Sequence, residues 1–175
     1  MSLGSRPRVG VSSCLLGQRV RYDGVLKGLA WAEGELAHAV VLVPICPEVG
    51  AGMSVPRPAI QLVERSNGLR LELVKGARDV TLAMREYCDE VVSLLEENAL
   101  HGFLFKARSP SCGISDTPHL SASGKIVRRG SGMWAQTIRN QWPLLPLADE
   151  SNVRDEAGRN EFLGRVHAYW AHSKL

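Results

Sequence analysis

Three apolar, strand-like runs in this chain each lead into a cysteine and then a turn. The cysteines are Cys14, Cys46 and Cys112, and each is followed within three residues by Gly or Pro. The apolar runs before them cover residues 9–13, 40–45 and 102–107. Strands buried in a parallel sheet are apolar on both faces, and their carboxyl ends lie at one edge of the sheet. The pattern therefore predicts three thiols at one edge of a parallel sheet.

The remaining segments predict helices and hairpins between these strands. Apolar residues recur at helical spacing in four segments, at about 25–39, 79–99, 133–141 and 154–172. Alternating segments at 60–74 and 119–129 predict β-hairpins that turn at Asn67-Gly68 and Ser123-Gly124. We expect 40–45 to be a central strand of the parallel sheet, because it is apolar on both faces. The alternation favours an α/β fold: a single Rossmann-like domain, with a mostly parallel sheet, helices on both faces and one or two appended hairpins.

Composition limits the classes of protein to consider. With 175 residues, 45% of them hydrophobic, the chain is long enough for one globular core. We expect a single domain over 8–175, with 1–7 a disordered terminus or an expression remnant. The start of the chain lacks an apolar signal core and no run is long enough to span a membrane, which predicts a cytoplasmic protein. A net charge of +3 permits an anionic partner. No basic helix or RNP-like motif supports dedicated nucleic-acid binding.

The cysteines fit several chemistries. Four are too few for a disulfide scaffold, and no two form a Cys-x-x-Cys pair. Cys88 falls on the apolar face of a helix and is interpreted as core. Zinc would need a fourth ligand beside the other three thiols, such as His38, His101 or His119. An iron–sulfur cluster on three cysteines leaves one iron open to substrate, whereas a nucleophilic cysteine needs a histidine base. Spacing alone leaves all three chemistries open.

Polar residues beside the cysteines are candidates for proton transfer and binding. Glu48 lies two residues after Cys46 and is a candidate general acid or base. Ser109 and Ser111 precede Cys112 and are either turn residues or hydroxyls that face a substrate. Loop cations flank the same segments and together would form an electropositive mouth: Arg19, Arg21, Arg57, Lys106 and Arg108. Among these polar residues we expect Ser111, Arg21 and Arg57 to bind substrate.

Five segments in the same order resemble the thiouracil desulfurase, or desulfidase, family. They are Ser13-Cys14-Leu15-Leu16-Gly17, Arg21-Tyr22-Asp23-Gly24, Cys46-Pro47-Glu48-Val49 with Pro56-Arg57-Pro58, Gly76-Ala77-Arg78-Asp79-Val80-Thr81, and Ser109-Pro110-Ser111-Cys112-Gly113. The resemblance covers roughly residues 8–142. It implies a Rossmann-like α/β domain that carries a [4Fe-4S] cluster on the three cysteines numbered 14, 46 and 112.

The same resemblance implies an activity. The family removes sulfur from a thiolated pyrimidine such as 2-thiouracil without redox change; an open iron binds the substrate sulfur, and a uracil-type product and sulfide are released. The catalytic carboxylate and serine of the family fall on Glu48 and Ser109. Two alternatives remain, a non-catalytic zinc or iron–sulfur binding module and desulfuration of thiolated bases within RNA.

Overall fold

The computed structural model describes residues 6–174 of the chain. Residues 1–5, most of the predicted terminal extension, lie outside the described part, as does residue 175. Arg6 and Pro7 lie against the start of the second strand, where Arg6 donates to the carbonyl of His38 and the carbonyl of Pro7 accepts from the N–H of Val41. Within 6–174, no helix has both the length and the apolar character needed to cross a membrane.

Strands and helices alternate along most of the chain. In chain order the elements are β1 (Arg8–Ser12), a 3-10 turn (Ser13–Leu16), a π-helical turn (Ala32–Leu36) that continues into α1 (Ala37–Ala39), β2 (Val41–Ile45), α2 (Pro47–Gly50), β3 (Ile60–Arg65), β4 (Gly68–Leu73), α3 (Thr81–Glu97), β5 (Gly102–Phe105), β6 (Thr117–Leu120), β7 (Ile126–Gly130), α4 (Met133–Gln141), β8 (Leu147–Asp149) and α5 (Glu156–His172). The predicted helix at 25–39 begins later than expected, because residues 25–29 are irregular.

Four strands form a parallel sheet in the order β2-β1-β5-β8. The chain runs from β1 to β2 on one side and later returns to β5 and β8 on the other. The direction of winding thus reverses between β1 and β5. In open α/β sheets such a reversal leaves a crevice beyond the carboxyl ends of the strands. The predicted α/β class with a mostly parallel sheet is confirmed.

The prediction that β2 is central was wrong. β2 lies at the edge of the sheet and its residues are largely half-exposed. Pro44 sits opposite Val11 in the middle of β2 and has no N–H to offer to a further strand. Proline within a strand is confined to edges for this reason. The central strand β5 is instead buried at all four of its positions.

The two predicted hairpins join into a second sheet rather than remaining separate. Its order is β4-β3-β6-β7, with antiparallel pairs in each hairpin and a parallel pairing of β3 with β6. Leu62 of β3 lies opposite His119 of β6 at this junction. Leu62 also packs with Phe103 and Trp134 in the core beneath the parallel sheet.

Helices cover both faces of the parallel sheet, as predicted. On one face Phe103 and Phe105 stack with their ring centroids 4.1 Å apart, and Trp134 of α4 contacts Phe103 edge-on. On the other face Leu104 packs in a cluster with Phe162 of α5 and residues of the π-helical segment. Alternate residues of β5 therefore contribute to two separate cores.

The N-terminus of α4 holds the loop that follows β5. The N–H groups of Gly132, Met133 and Trp134 donate to carbonyls of Gly113, Pro110 and Ser111, at 2.8, 3.0 and 2.9 Å. These N–H groups lack partners within their own helix, so the loop carbonyls satisfy them. A Cβ at Gly132 would lie only 2.5 Å from the Ser111 carbonyl carbon. Close backbone contact therefore fixes the 110–113 segment on α4.

We expect Gly132→Ala to destabilise the protein by about 1–3 kcal/mol, because its methyl group must displace the backbone of the loop. Gly164→Ala is the matched control, since a Cβ there meets nothing within 4 Å and alanine favours the helix. Urea unfolding followed by far-UV circular dichroism measures both. Equal stability of the Gly132 variant and the wild type would contradict this description of the loop.

Candidate active site

The structure brings Cys14, Cys46 and Cys112 to one cavity of about 690 Å³. Cys14 lies in the turn after β1, Cys46 directly after β2, and Cys112 in the loop after β5. Because these strands are parallel neighbours, all three cysteines lie beyond the same edge of the sheet. The cavity thus occupies the crevice expected from the strand order.

The three cysteines are not in disulfides, and burial disfavours their charged forms. Burial raises the pKa of Cys14 to about 11, and the nearby Cys46 adds to this shift. Burial likewise raises the pKa of Cys46 and, well above the usual value, that of Cys112, where the charges of Cys14 and Cys46 contribute. As thiolates these groups repel one another. A positively charged metal centre removes that repulsion and the protons together.

The three thiols are soft donors of the kind that an iron–sulfur cluster takes. Within residues 6–174, no three His, Cys, Asp or Glu side chains are grouped closely enough to hold one metal ion. A zinc ion draws all of its ligands to within about 2.0–2.3 Å of one point. A cubane instead binds each thiolate on a different iron, so its ligands stand further apart. Three soft sulfur donors around one cavity are the donor set of such a cluster.

Glu48 lies on the cavity wall with both carboxylate oxygens engaged. Oε2 accepts from Arg57, 3.0 Å from Nε and 2.6 Å from Nη2. Oε1 accepts from the hydroxyl of Ser111 at 3.0 Å. The one-turn helix α2 begins at Pro47, so Glu48 lies in its first turn, two residues after Cys46. The carboxylate is therefore held in one orientation beside the thiols.

Arg57 lies behind Glu48, and its side chain is only 4% exposed. Besides Glu48, the guanidinium donates to the carbonyls of Val20, at 2.8 Å, and Ser54, at 3.0 Å. The backbone N–H of Arg57 also donates to the carbonyl of Tyr22. Its donors thus bind the protein itself, and they connect the Glu48 loop to the loop after β1.

Ser109 lines the cavity, whereas Ser111 lies behind the wall. The Oγ of Ser109 accepts from the N–H groups of Ser111, at 3.2 Å, and Cys112, at 3.1 Å. Both contacts use the hydroxyl as an acceptor, so its proton remains available to a third partner. Ser111 is fully buried and donates to Glu48. The two serines therefore hold different positions relative to the cavity.

The cavity also contains an ion pair that sequence reasoning missed. Lys106 follows β5 and forms a salt bridge with Glu150, which follows β8. The second carboxylate oxygen of Glu150 accepts from the N–H of Ala107 at 2.6 Å. The sequence signal that could have found it is the position of Glu150 directly after the last strand, β8.

The cations expected at the mouth differ in their surroundings. Arg21 lines the cavity and pairs with Asp23 at 3.1 Å. Arg108 also lines it, and its side chain is exposed. Arg19 donates instead to the carbonyl of Gly24 and lies outside the cavity lining. Since Arg21, Arg57 and Lys106 are each paired with a carboxylate, the cavity wall is closer to neutral than the cation count suggests.

The histidines considered as zinc ligands lie elsewhere. His101 Nδ1 accepts from the N–H of Arg8 at 2.9 Å. His119 Nε2 lies 3.0 Å from the carbonyl of Ser131, and His38 Nδ1 lies 2.8 Å from that of Gly34. None of the three lines the cysteine cavity. Cys88 is buried on α3 in the core, in agreement with its interpretation as a packing residue.

Comparison with known proteins yields one family and one solved structure. The structure is described as "[4Fe-4S]-dependent thiouracil desulfidase TudS (DUF523Vcz)"; it matches with a TM-score of 0.70 and 25% sequence identity, over 89% of this chain and 99% of that one. Comparison with curated protein sequences gave no match. The 2-thiouracil desulfurase family matches residues 9–150, which include all three cavity cysteines, Glu48 and Ser109. The chain therefore belongs to the 2-thiouracil desulfurase family.

Proposed function

We propose that this protein hydrolyses the carbon–sulfur double bond of a thiolated pyrimidine such as 2-thiouracil. In the balanced reaction, water supplies the oxygen of the new carbonyl and the sulfur leaves as sulfide. No electrons are gained or lost, so the reaction needs neither an oxidant nor a reductant. The enzyme class follows from membership of the family, and the substrate is inferred from the family and from the cavity.

One observation carries this proposal: three thiols share a cavity with a carboxylate and a hydroxyl whose proton is free to be donated. A purely structural metal site needs no such space or acid–base groups, because its ligands close around the metal. Here the cavity of about 690 Å³ is large enough for a small ring beside the thiols. The arrangement supports catalysis over a non-catalytic metal-binding module.

Cys14, Cys46 and Cys112 would hold a [4Fe-4S] cluster, as the solved structure's description indicates for that protein. When bound, such a cluster supplies one iron without a cysteine ligand, a Lewis acid suited to a soft thione sulfur. The three cysteines would hold this group in the cavity that Glu48 and Ser109 also line.

Glu48 is proposed as the group that moves the proton of the attacking water. Its carboxylate is ion-paired with Arg57 through Oε2, and Oε1 retains one lone pair beside its contact with Ser111, so the carboxylate can accept a proton there. The Ser111 hydroxyl, donating to Oε1, holds the carboxylate in this orientation. We therefore assign Ser111 and Arg57 to positioning Glu48, rather than to contacting substrate as their sequence positions suggested.

Ser109 is proposed to donate its hydroxyl proton to a ring atom of the substrate. Two backbone N–H groups fix its Oγ, which directs the remaining O–H away from the loop. These N–H donors also favour negative charge on the oxygen, so that it can give up the proton more easily. Arg21 remains a candidate substrate contact, since it lines the cavity mouth.

The cysteine assignment predicts a selective loss of iron. Changing Cys14, Cys46 or Cys112 to Ala should each remove most of the iron bound after anaerobic reconstitution, whereas the wild type should hold about four irons per chain. Cys88→Ala is the matched control, because Cys88 is buried on α3 away from the cavity. Iron and sulfide counts with an absorption spectrum measure the outcome. Unchanged iron in any of the three cavity variants would remove that cysteine from the ligand set.

The role of Glu48 predicts loss of turnover without loss of iron. Glu48→Gln keeps the size of the side chain but cannot accept the proton, so the rate of sulfide release should fall roughly 10²–10⁴-fold. Glu64→Gln is the control, because this half-exposed carboxylate on β3 pairs with Arg128 and does not line the cavity. Iron counts for both variants should equal that of the wild type. Wild-type rates in the Glu48 variant would exclude Glu48 from proton transfer.

Separate effects on kcat and KM distinguish positioning from substrate binding at Arg57. Arg57→Lys keeps the charge but loses the two-nitrogen contact with Glu48, so we expect kcat to fall roughly 10–100-fold while KM changes little. Arg108→Lys is the comparison at an exposed cavity position. Steady-state kinetics at equal iron content provide the test. A raised KM with unchanged kcat would instead mean that Arg57 binds substrate.

A further inference from the structure

The Lys106–Glu150 pair occupies a distinct part of the cavity. Glu48 follows β2 and Glu150 follows β8, and these are the two edge strands of the parallel sheet. Cys14, after β1, lies between them in the order of the strands. Lys106 and Glu150 both act on the charge of Cys14, the lysine lowering its pKa and the glutamate raising it, although burial is the larger cause of the shift. The pair therefore lies beside the thiols, at the opposite end of the row of strand ends from Glu48.

Both side chains are held in place yet accessible from the cavity. Lys106 Nζ donates to the carbonyl of Ala107 at 3.2 Å and to Oε1 of Glu150. Glu150 Oε2 accepts from the N–H of Ala107 at 2.6 Å. The side chains of Lys106 and Glu150 are 21% and 23% exposed, and both line the cavity. The pair is thus neither a solvated surface bridge nor a buried core pair.

The pair retains hydrogen-bonding capacity on the cavity side. An ammonium has three N–H donors, so Lys106 keeps one donor after these two contacts. Each carboxylate oxygen has two lone pairs, so Glu150 keeps acceptor sites beside that donor. The pair has no net charge. It therefore presents a neutral donor next to an acceptor, the complement of a ring N–H next to a ring carbonyl.

We propose that Lys106 and Glu150 select the substrate by hydrogen bonding to its amide edge. This edge consists of the ring N–H beside the thione and the ring carbonyl on the other side of that N–H. Glu150 accepts from the ring N–H, and Lys106 donates to the ring carbonyl. This assignment rests on the proposed function and adds a specificity determinant to it. It favours an uncharged thiopyrimidine with an intact amide edge over a ring without one.

A comparison of two substrates tests the assignment. In the cluster-loaded wild type we expect kcat/KM for 2-thiouracil to exceed that for pyrimidine-2-thione, which keeps one ring N–H but lacks the ring carbonyl, by about 10–100-fold or more. Lys106→Met should lower kcat/KM for 2-thiouracil by about 10–100-fold and leave kcat/KM for pyrimidine-2-thione nearly unchanged, because that ring has no carbonyl to accept from the lysine. Glu150→Gln should lower kcat/KM for 2-thiouracil by a similar factor. If the pair only fastened two loops together, Lys106→Met would lower kcat/KM for both substrates equally. That result would overturn the assignment.

Binding of uracil provides a readout independent of turnover. Calorimetry on the cluster-loaded proteins should show roughly 10-fold or greater weakening in Lys106→Met and Glu150→Gln, with iron content unchanged. Lys125→Met, at an exposed hairpin position, and Glu64→Gln, at a half-exposed one away from the cavity, are the matched controls. Unaltered uracil affinity in the two cavity variants would contradict the assignment. If the wild type desulfurates neither thiopyrimidine, the proposed function fails. The uracil affinities of the wild type and the two cavity variants then still show whether Lys106 and Glu150 bind an amide edge.

Discussion

Parallel pairing of β1 with β2 on one side and β5 on the other requires that the three strands end at the same edge of the sheet. The cysteine in the turn after each strand therefore lies at that edge, although 98 positions of sequence separate Cys14 from Cys112. A parallel sheet needs long crossover connections, and the helices on both faces supply them. The same sheet that forms the core thus assembles a site that no local motif could build.

Charge pairing around the cavity follows from its burial. A buried guanidinium or carboxylate without a partner is costly, so Arg57 contacts Glu48 and Lys106 contacts Glu150. These pairs orient the groups that face the cavity and offset part of the positive charge of its wall. The backbone contacts between α4 and the 110–113 segment hold Cys112 and Ser109 in the same rigid frame.

The fold class, most of the elements and the convergence of the cysteines could be predicted from periodicity, because each depends on local patterns. The helix at 133–141 agrees with α4 in both bounds. Strand order is not local: β2 was expected at the centre although Pro44 indicated an edge. The partners of Glu48 could not be predicted either, since Ser111 reaches it across 63 positions of sequence. Glu150 was missed because its contact with Lys106 depends on the pairing of β5 with β8.

If Cys14, Cys46 and Cys112 hold a [4Fe-4S] cluster, its fourth iron would be free to bind the substrate sulfur. Mössbauer spectroscopy of protein reconstituted with ⁵⁷Fe tests this proposal, because it resolves irons in different coordination. We expect three thiolate-bound irons and one distinct iron, in a ratio of about three to one, and a change in the signal of the distinct iron when 2-thiouracil is added. Four equivalent irons, or a spectrum unaffected by saturating 2-thiouracil, would contradict it.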